Sequence, residues 1–330
     1  MNRRALSLRR GTRPGARPGT RRGLSLVVGL TLGALVLGGC QSADGRALPD
    51  ASASPSPAPD GTGTPTADGE LTYVAMGDSY TAAPLFPLVS GEQIDDCLRS
   101  QENYPSLVAQ RLGIEVTDVS CSGASTVSIF SEQSFTSGAR PPQLDALSDE
   151  VDLVTLGIGA NDFRFFSKMM FTCLKLAERD PEGAPCRDRN RTDAGRDRLE
   201  RKLGEIRKRV TRVVRAIGNQ APSARILLIG YPQLLPDEGT CTAKLPLALG
   251  DYDYVRGLNL DLAAAVAQGG VKAGAEYVDL VAASQGHDIC SEQPWVAGIR
   301  GDPRRAMGLH PYPAEQRAVA DLVVGLVEGA

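Results

Sequence analysis

Histidine is nearly missing from this chain: two residues in 330, beside a single Trp and an aromatic share of 5%. There is also no CxxC pair and no His-rich spacing. Nothing in the sequence supplies the ligand set of a zinc site, so no metal is expected. Acidic residues are missing from the first 39 positions, "MNRRALSLRRGTRPGARPGTRRGLSLVVGLTLGALVLGG", which carry eight Arg. A long apolar run is missing too. Residues 24–39 are 16 apolar or small residues. That is short of the about 20 that span a bilayer, and it fits a signal-peptide core. Without those 39 residues the chain keeps 28 basic residues against 39 acidic ones, a net charge of −11. Such a balance excludes a general nucleic-acid binder. The chain shows no internal repeat.

Cysteine occurs seven times, as Cys40, Cys97, Cys121, Cys173, Cys186, Cys241 and Cys290. The leader closes on "LGGC", which resembles a bacterial lipobox. That resemblance implies that Cys40 becomes the lipidated first residue of the mature chain, with two kinds of acyl attachment holding it on a membrane. "TRRGLSL" at 20–26 resembles a twin-arginine export signal, a weaker match in a leader full of Arg pairs. With Cys40 lipidated, six cysteines remain, an even number suited to an oxidising compartment. Six allow fifteen pairings; joining sequence neighbours gives Cys97–Cys121, Cys173–Cys186 and Cys241–Cys290. Export to the outer face of the cell membrane or the envelope follows, with release to the medium as a variant of the same reading.

Residues 41–70 hold no aromatic residue and little to bury, the composition of a flexible tether. As a coil its ends would lie about 30 Å apart. The organisation is therefore a signal peptide over 1–39, a lipidated Cys and tether over 40–70, and one folded domain over 71–330. Within the domain, short apolar or β-branched runs between turn residues predict strands at 71–76, 114–120, 151–158, 224–231 and 276–280. Helices are expected at 104–113, 196–217, 254–270 and 313–329. The second carries a clear stripe of Leu199, Leu203, Ile206, Val210, Val213 and Ile217. Strands alternating with helices imply a mainly parallel sheet covered on both faces. Residues 187–215 hold twelve basic and five acidic residues. The plain reading is the solvated face of that helix; contact with anionic lipid or a cell-wall polymer is the sharper one.

Ligands of open parallel sheets sit at the carboxyl ends of strands. The first strand ends in "MGDSY" and delivers Ser79. "CSGAST" follows the second and places Gly123 on a turn. "GIGAND" follows the third and places Asn161, a residue that could also cap a helix there. A serine nucleophile needs a base, and the chain offers His287 or His310, the latter in "LHPYP".

This ordered set, Ser in "GDSY", Gly in "SGAS", Asn in "GAND" and His in "LHPYP", resembles the SGNH or GDSL hydrolases. The resemblance covers essentially all of 71–330. The six cysteines resemble the actinobacterial secreted esterase and lipase branch, which has three disulfides and supports the neighbour pairing. The fold implied is an α/β three-layer sandwich of flavodoxin-like order, with a central five-stranded sheet. Carried over by position, Ser79 attacks the ester carbonyl and His310 serves as base. The N–H groups of Ser79 and Gly123, with the Asn161 amide, hold the oxyanion.

The chain departs from the family pattern in two places. Many members carry an Asp three residues before the catalytic His, where this chain has Met307. A Ser–His dyad is therefore expected, with the Met307 carbonyl orienting the ring and Asp302 as a less favoured acid. The frequent "HPN" is "HPY" here, which alters the pocket rim. His287 ranks far behind His310, and Asp78 and Asp162 read as structural. Two segments flank the site and supply aromatic and apolar side chains: 81–103, with "APLFPLVSG" at 83–91, and 163–190, with "FRFFSKMMF" at 163–171. The 163–171 stretch reads equally as helix packing or as an acyl-pocket wall. The expected protein is a monomeric lipid-anchored esterase or lipase without cofactor. An O-acetylesterase of envelope or plant polysaccharide is the alternative hydrolase, and a non-catalytic binding lipoprotein the alternative class.

Overall fold

Five buried residues in a row, YVAMG, form β1 (Tyr73–Gly77). Strand β5 (Leu153–Gly157) is likewise buried throughout. Unbroken burial is what a parallel strand covered on both faces requires. The computed structural model describes residues 71–84 and 96–329. The leader, Cys40, the tether and most of the 83–91 stretch lie outside the described residues.

Chain order brings α1 (Ser79–Ala82), α2 (Tyr104–Leu112) and β2 (Val116–Asp118) after β1. A small antiparallel hairpin, β3 (Gln133–Phe135) with β4 (Gly138–Arg140), precedes β5. A helical stretch follows, made of α3 (Phe165–Ser167), a π-helical turn (Lys168–Thr172) and α4 (Cys173–Ala177). Then come α5 (Pro185–Asn190), α6 (Glu200–Gln220), β6 (Arg225–Ile229), α7 (Tyr252–Val271), β7 (Glu276–Val278), α8 (Leu280–Ala283) and α9 (Pro313–Glu328).

The main sheet runs β2-β1-β5-β6-β7, every pair parallel. All five expected strands are in it, four of them shortened and the first shifted to Tyr73–Gly77, and the four expected helices are α2, α6, α7 and α9. The hairpin was not expected, since its three-residue strands are too short to show a period. Alternate strand residues face opposite layers. Tyr73, Ala75 and Leu153 pack with Tyr104 and Val108 of α2 and with Val319 and Val323 of α9. Val74, Met76, Val154 and Leu156 pack with α6 and α7. The result is the expected three-layer α/β sandwich in flavodoxin-like order.

Helix α6 buries Ile206, Val210, Val213, Val214 and Ile217, each worth roughly 1.5–3 kcal/mol against exposure. Its arginines at 201, 207, 212 and 215 are exposed, as the solvated-face reading requires. Three disulfides, Cys97–Cys121, Cys173–Cys186 and Cys241–Cys290, match the neighbour pairing. They place the domain in an oxidising compartment outside the cytoplasm. No helix among the described residues is long and apolar enough to cross a membrane.

The strand progression reverses between β1 and β5, the switch point where ligands of such sheets bind. Ser79, Gly123 and Asn161 stand beyond the carboxyl ends of β1, β2 and β5.

Candidate active site

The turn after β1 has room only for glycine. Gly77 sits at φ +153, and a Cβ there would lie 2.3 Å from Thr81 Oγ1 and 2.6 Å from the Gly157 carbonyl. Gln143 clamps the same residue, accepting its N–H at 2.8 Å and donating to its carbonyl at 2.9 Å. Asp78 caps α1 by accepting the Tyr80 N–H at 2.9 Å. Its other oxygen accepts the Tyr231 hydroxyl at 2.6 Å. Burial raises the Asp78 carboxyl to about 6, with those two donors pulling it down. Asp78 is thus spent on the turn, and Ser79 follows it into a cleft of ≈ 390 Å³.

The same cleft is lined by Gly123, Asn161, Met307 and His310. The structure therefore brings together the four groups that the sequence spaced over more than two hundred residues. Their unspent hydrogen-bonding capacity is specific. Asp78, Tyr80, Thr81 and Ala82 all place their N–H groups on acceptors, while the Ser79 N–H has none among the described residues. Ser122 and Ala124 likewise bond their N–H groups, and Gly123 between them has no acceptor among the described residues. Gly123 stands at φ +80. Asn161 donates one amide hydrogen to the Ala124 carbonyl at 2.8 Å, and a primary amide has two. Its side chain makes no helix cap, so of its two expected jobs the capping one is not performed.

Asp162 is buried. It accepts the Thr126 N–H at 3.0 Å and the Thr126 hydroxyl at 2.7 Å, and Arg209 stands 3.7 Å away. It ties the Gly123 loop to the Asn161 loop, as a structural residue should.

At His310 the sequence expectation needs correcting. Nδ1 stands 2.9 Å from the Gly308 carbonyl, not the Met307 carbonyl. The Met307 carbonyl instead accepts the His310 backbone N–H at 3.2 Å. The reason is Leu309, which adopts φ 62 and swings the Gly308 carbonyl under the ring. Asp302 is not the orienter either: its carboxylate accepts the Arg304 N–H at 2.9 Å within its own turn. A carbonyl only accepts, so Nδ1 carries a proton, and in the neutral ring Nε2 keeps the lone pair. Burial lowers the His310 pKa, and the Gly308 carbonyl partly offsets this. His287 lies elsewhere, stacked on Trp295 at 4.8 Å with Nδ1 on the Gln293 carbonyl.

Left-handed non-glycine residues gather here. Ala83 follows the Ser79 turn, Leu98 lines the cleft, Phe163 and Arg164 follow Asn161, and Leu309 precedes His310. Each such backbone costs on the order of 1–3 kcal/mol, and such strain gathers where a site must be pre-shaped. Phe166 and Phe171 of the 163–171 stretch line the cleft, while Phe165, Met169 and Met170 are core. The packing role is therefore filled, by residues other than the two that line the cleft. Sequence reasoning missed Gly308, Tyr231 and Gln143; only Gly308 had a local signal, standing two residues before the His.

A switch-point cleft with a serine, a neutral histidine and unspent N–H donors defines a hydrolase of acyl compounds. Comparison with known proteins agrees. Residues 75–318 match the GDSL-like Lipase/Acylhydrolase family, and the chain belongs to that family. It is 37% identical over 261 residues to Lipase 2 of Streptomyces coelicolor, covering 76% of this chain and 84% of that one. The crystal structure of phospholipase A1 from Streptomyces albidoflavus superposes with a TM-score of 0.63 at 28% identity, over 79% of this chain and 100% of the other. An extracellular lipase from Streptomyces rimosus gives 0.60 at 25%, over 77% and 98%. The chain is a carboxylic ester hydrolase of SGNH fold.

Proposed function

We propose that Ser79 and His310 form a catalytic dyad that hydrolyses lipid or short-chain acyl esters without metal or cofactor. The observation that carries this is the convergence of Ser79, His310 and three unspent N–H donors in one cleft. Nε2 of His310 takes the hydroxyl proton as Ser79 Oγ bonds to the ester carbonyl carbon. The carbonyl oxygen becomes an oxyanion facing the Ser79 and Gly123 N–H groups and the Asn161 amide. Collapse breaks the bond to the alcohol, which leaves with the proton from Nε2. Water then repeats the sequence on the acyl-Ser79 ester and releases the acid. All these groups come from one chain, so the reading needs no residue from a partner subunit.

The same reading places the domain of 71–330 on a tether of 40–70 behind a signal peptide of 1–39. Lipid on Cys40 then holds it at the outer face of the membrane. "LGGC" and the acid-free basic leader support this. The relatives' names, lipase and phospholipase A1, favour lipid esters over polysaccharide acetates.

The test is Ser79→Ala on chromogenic esters of graded acyl length. Turnover should vanish on every ester in a variant that keeps the wild-type melting profile. Wild-type rates in that variant would remove Ser79 from the mechanism.

A further inference from the structure

Next to the cleft lies a second, larger hollow of ≈ 820 Å³. Phe171 lines both. The helical stretch runs from one to the other along a single wall: Phe166 and Ser167 face the cleft, Phe171 faces both, and Leu174 and Ala177 face the larger groove. Ile299, from a separate part of the chain, also lines the groove wall. It packs on Gly308, whose added Cβ would lie 2.2 Å from the Ile299 carbonyl. That wall is therefore continuous with the loop carrying Met307 and His310.

Disulfides hold the groove's lining. Cys173–Cys186 fastens the helical stretch, and Cys241–Cys290 fastens the chain entering Leu247 and Leu249. A groove stapled this way is preformed, as ligand sites usually are. Phe171 is 48% exposed and Leu249 is 42% exposed, large apolar side chains of the kind that mark a binding surface when they cluster. The charged rim residues Lys175, Glu178 and Glu182 carry both signs, so the rim does not select a charged ligand. An apolar floor continuous with an ester-binding cleft matches a hydrocarbon chain. The π-helical turn Lys168–Thr172 contains Phe171, and such turns recur at functional sites.

We propose that this groove takes the distal methylenes of a long acyl chain whose ester carbonyl lies at Ser79. Phe171, the ring shared by both hollows, narrows the passage and sets acyl-length specificity. The proposal rests on the reading of Ser79 as nucleophile.

The full chain is assayed on p-nitrophenyl butanoate, octanoate, dodecanoate and hexadecanoate in one detergent, as wild type, Phe171→Ala, Leu249→Lys and Ser79→Ala. Both groove positions are exposed, so neither change opens the core. The readout is the ratio of kcat/KM on a long ester to that on butanoate, which a general loss of folding or rate leaves alone. Each methylene moved from water to an apolar wall is worth about four-fold. Phe171→Ala should raise the ratio at least that much, and Leu249→Lys should lower it. Unchanged ratios in both variants, with Ser79→Ala inactive, overturn the groove assignment alone. Full activity in Ser79→Ala overturns the reading of the cleft, and the groove assignment with it.

Discussion

The Tyr231 hydroxyl donates to Asp78 at 2.6 Å and accepts the Ala160 N–H at 3.0 Å. One phenol oxygen from the end of β6 thus pins the turn that carries Ser79 to the turn that carries Asn161. Tyr231→Phe leaves the buried Asp78 with one donor fewer, a loss on the order of 1–3 kcal/mol. The pH dependence has a definite sign. The folded-state pKa of Asp78, about 6, lies above its ordinary 3.8, so the fold favours the protonated form and loses stability as pH rises through that window. Removing the Tyr231 donor pushes the folded pKa higher still. Melting curves should therefore show the variant falling further behind wild type at pH 8 than at about pH 5. Its kcat should fall more than its KM rises, because the two turns lose their common register.

His310 is governed by burial rather than by a carboxylate. Its pKa lies below the ordinary 6.5, so the neutral base persists to lower pH than in a free imidazole. A chain with two histidines makes this directly visible by NMR. The His310 ring signals should titrate below the ordinary value, with His287→Gln assigning the pair. Asp302→Asn should leave both that titration and kcat unchanged. A raised His310 pKa that drops in Asp302→Asn would instead identify a triad.

Asn161→Ala removes the amide from the cleft and the donor from the Ala124 carbonyl. A lost oxyanion donor costs about 2.7–4 kcal/mol of barrier, or roughly 10²–10³ in kcat. KM for a soluble ester should change little, since the interaction matures only with the oxyanion. A matching loss confined to KM would move Asn161 from the reacting oxygen to ground-state binding.

Glu315 lies buried in the first turn of α9, and burial raises its carboxyl to about 8. Its neighbour Gln316 donates to it at 2.6 Å and to the Tyr80 carbonyl at 3.0 Å. The titratable groups that face it are the Tyr80 and Tyr104 phenols, which offer no positive charge. With the folded pKa above the ordinary 4.5, its contribution is full below that value and is lost as pH rises through about 8. Glu315→Gln should match wild type at low pH and melt higher at about pH 8 to 9. Equal melting of the two proteins from low pH through about pH 9 would show that burial does not raise the Glu315 carboxyl in the fold.

Much of this was legible beforehand, for physical reasons. Parallel strands buried on both faces read as unbroken apolar runs, so "LTYVAM" and "VDLVTLGI" announced β1 and β5. Ser79, Gly123 and Asn161 were visible because each follows such a run. The supports were not. Tyr231 lies 153 residues from Asp78, and Gln143 lies 66 from Gly77; no local pattern encodes those meetings. The acceptor for His310 was misplaced by one residue because a single left-handed residue, Leu309, turns the carbonyl that faces the ring. The 163–171 stretch read equally as packing or pocket wall because core and cleft-lining residues are interleaved along it.

That one-residue correction has a consequence at Gly308. A methyl group there would stand 2.2 Å from the Ile299 carbonyl and 3.0 Å from the carbonyl carbon, contacts that only a backbone shift relieves. The shift must move either the groove wall or the carbonyl that fixes the His310 ring. Gly308→Ala should therefore lower kcat on every ester length, because the Nδ1 proton loses its acceptor and Nε2 its aim. It should also lower the melting temperature, by the roughly 1–3 kcal/mol typical of overpacking. Met307→Ala keeps the backbone and should leave the His310 titration in place. If Gly308→Ala retained wild-type kcat while Met307→Ala lost it, the ring would be held from Met307 after all.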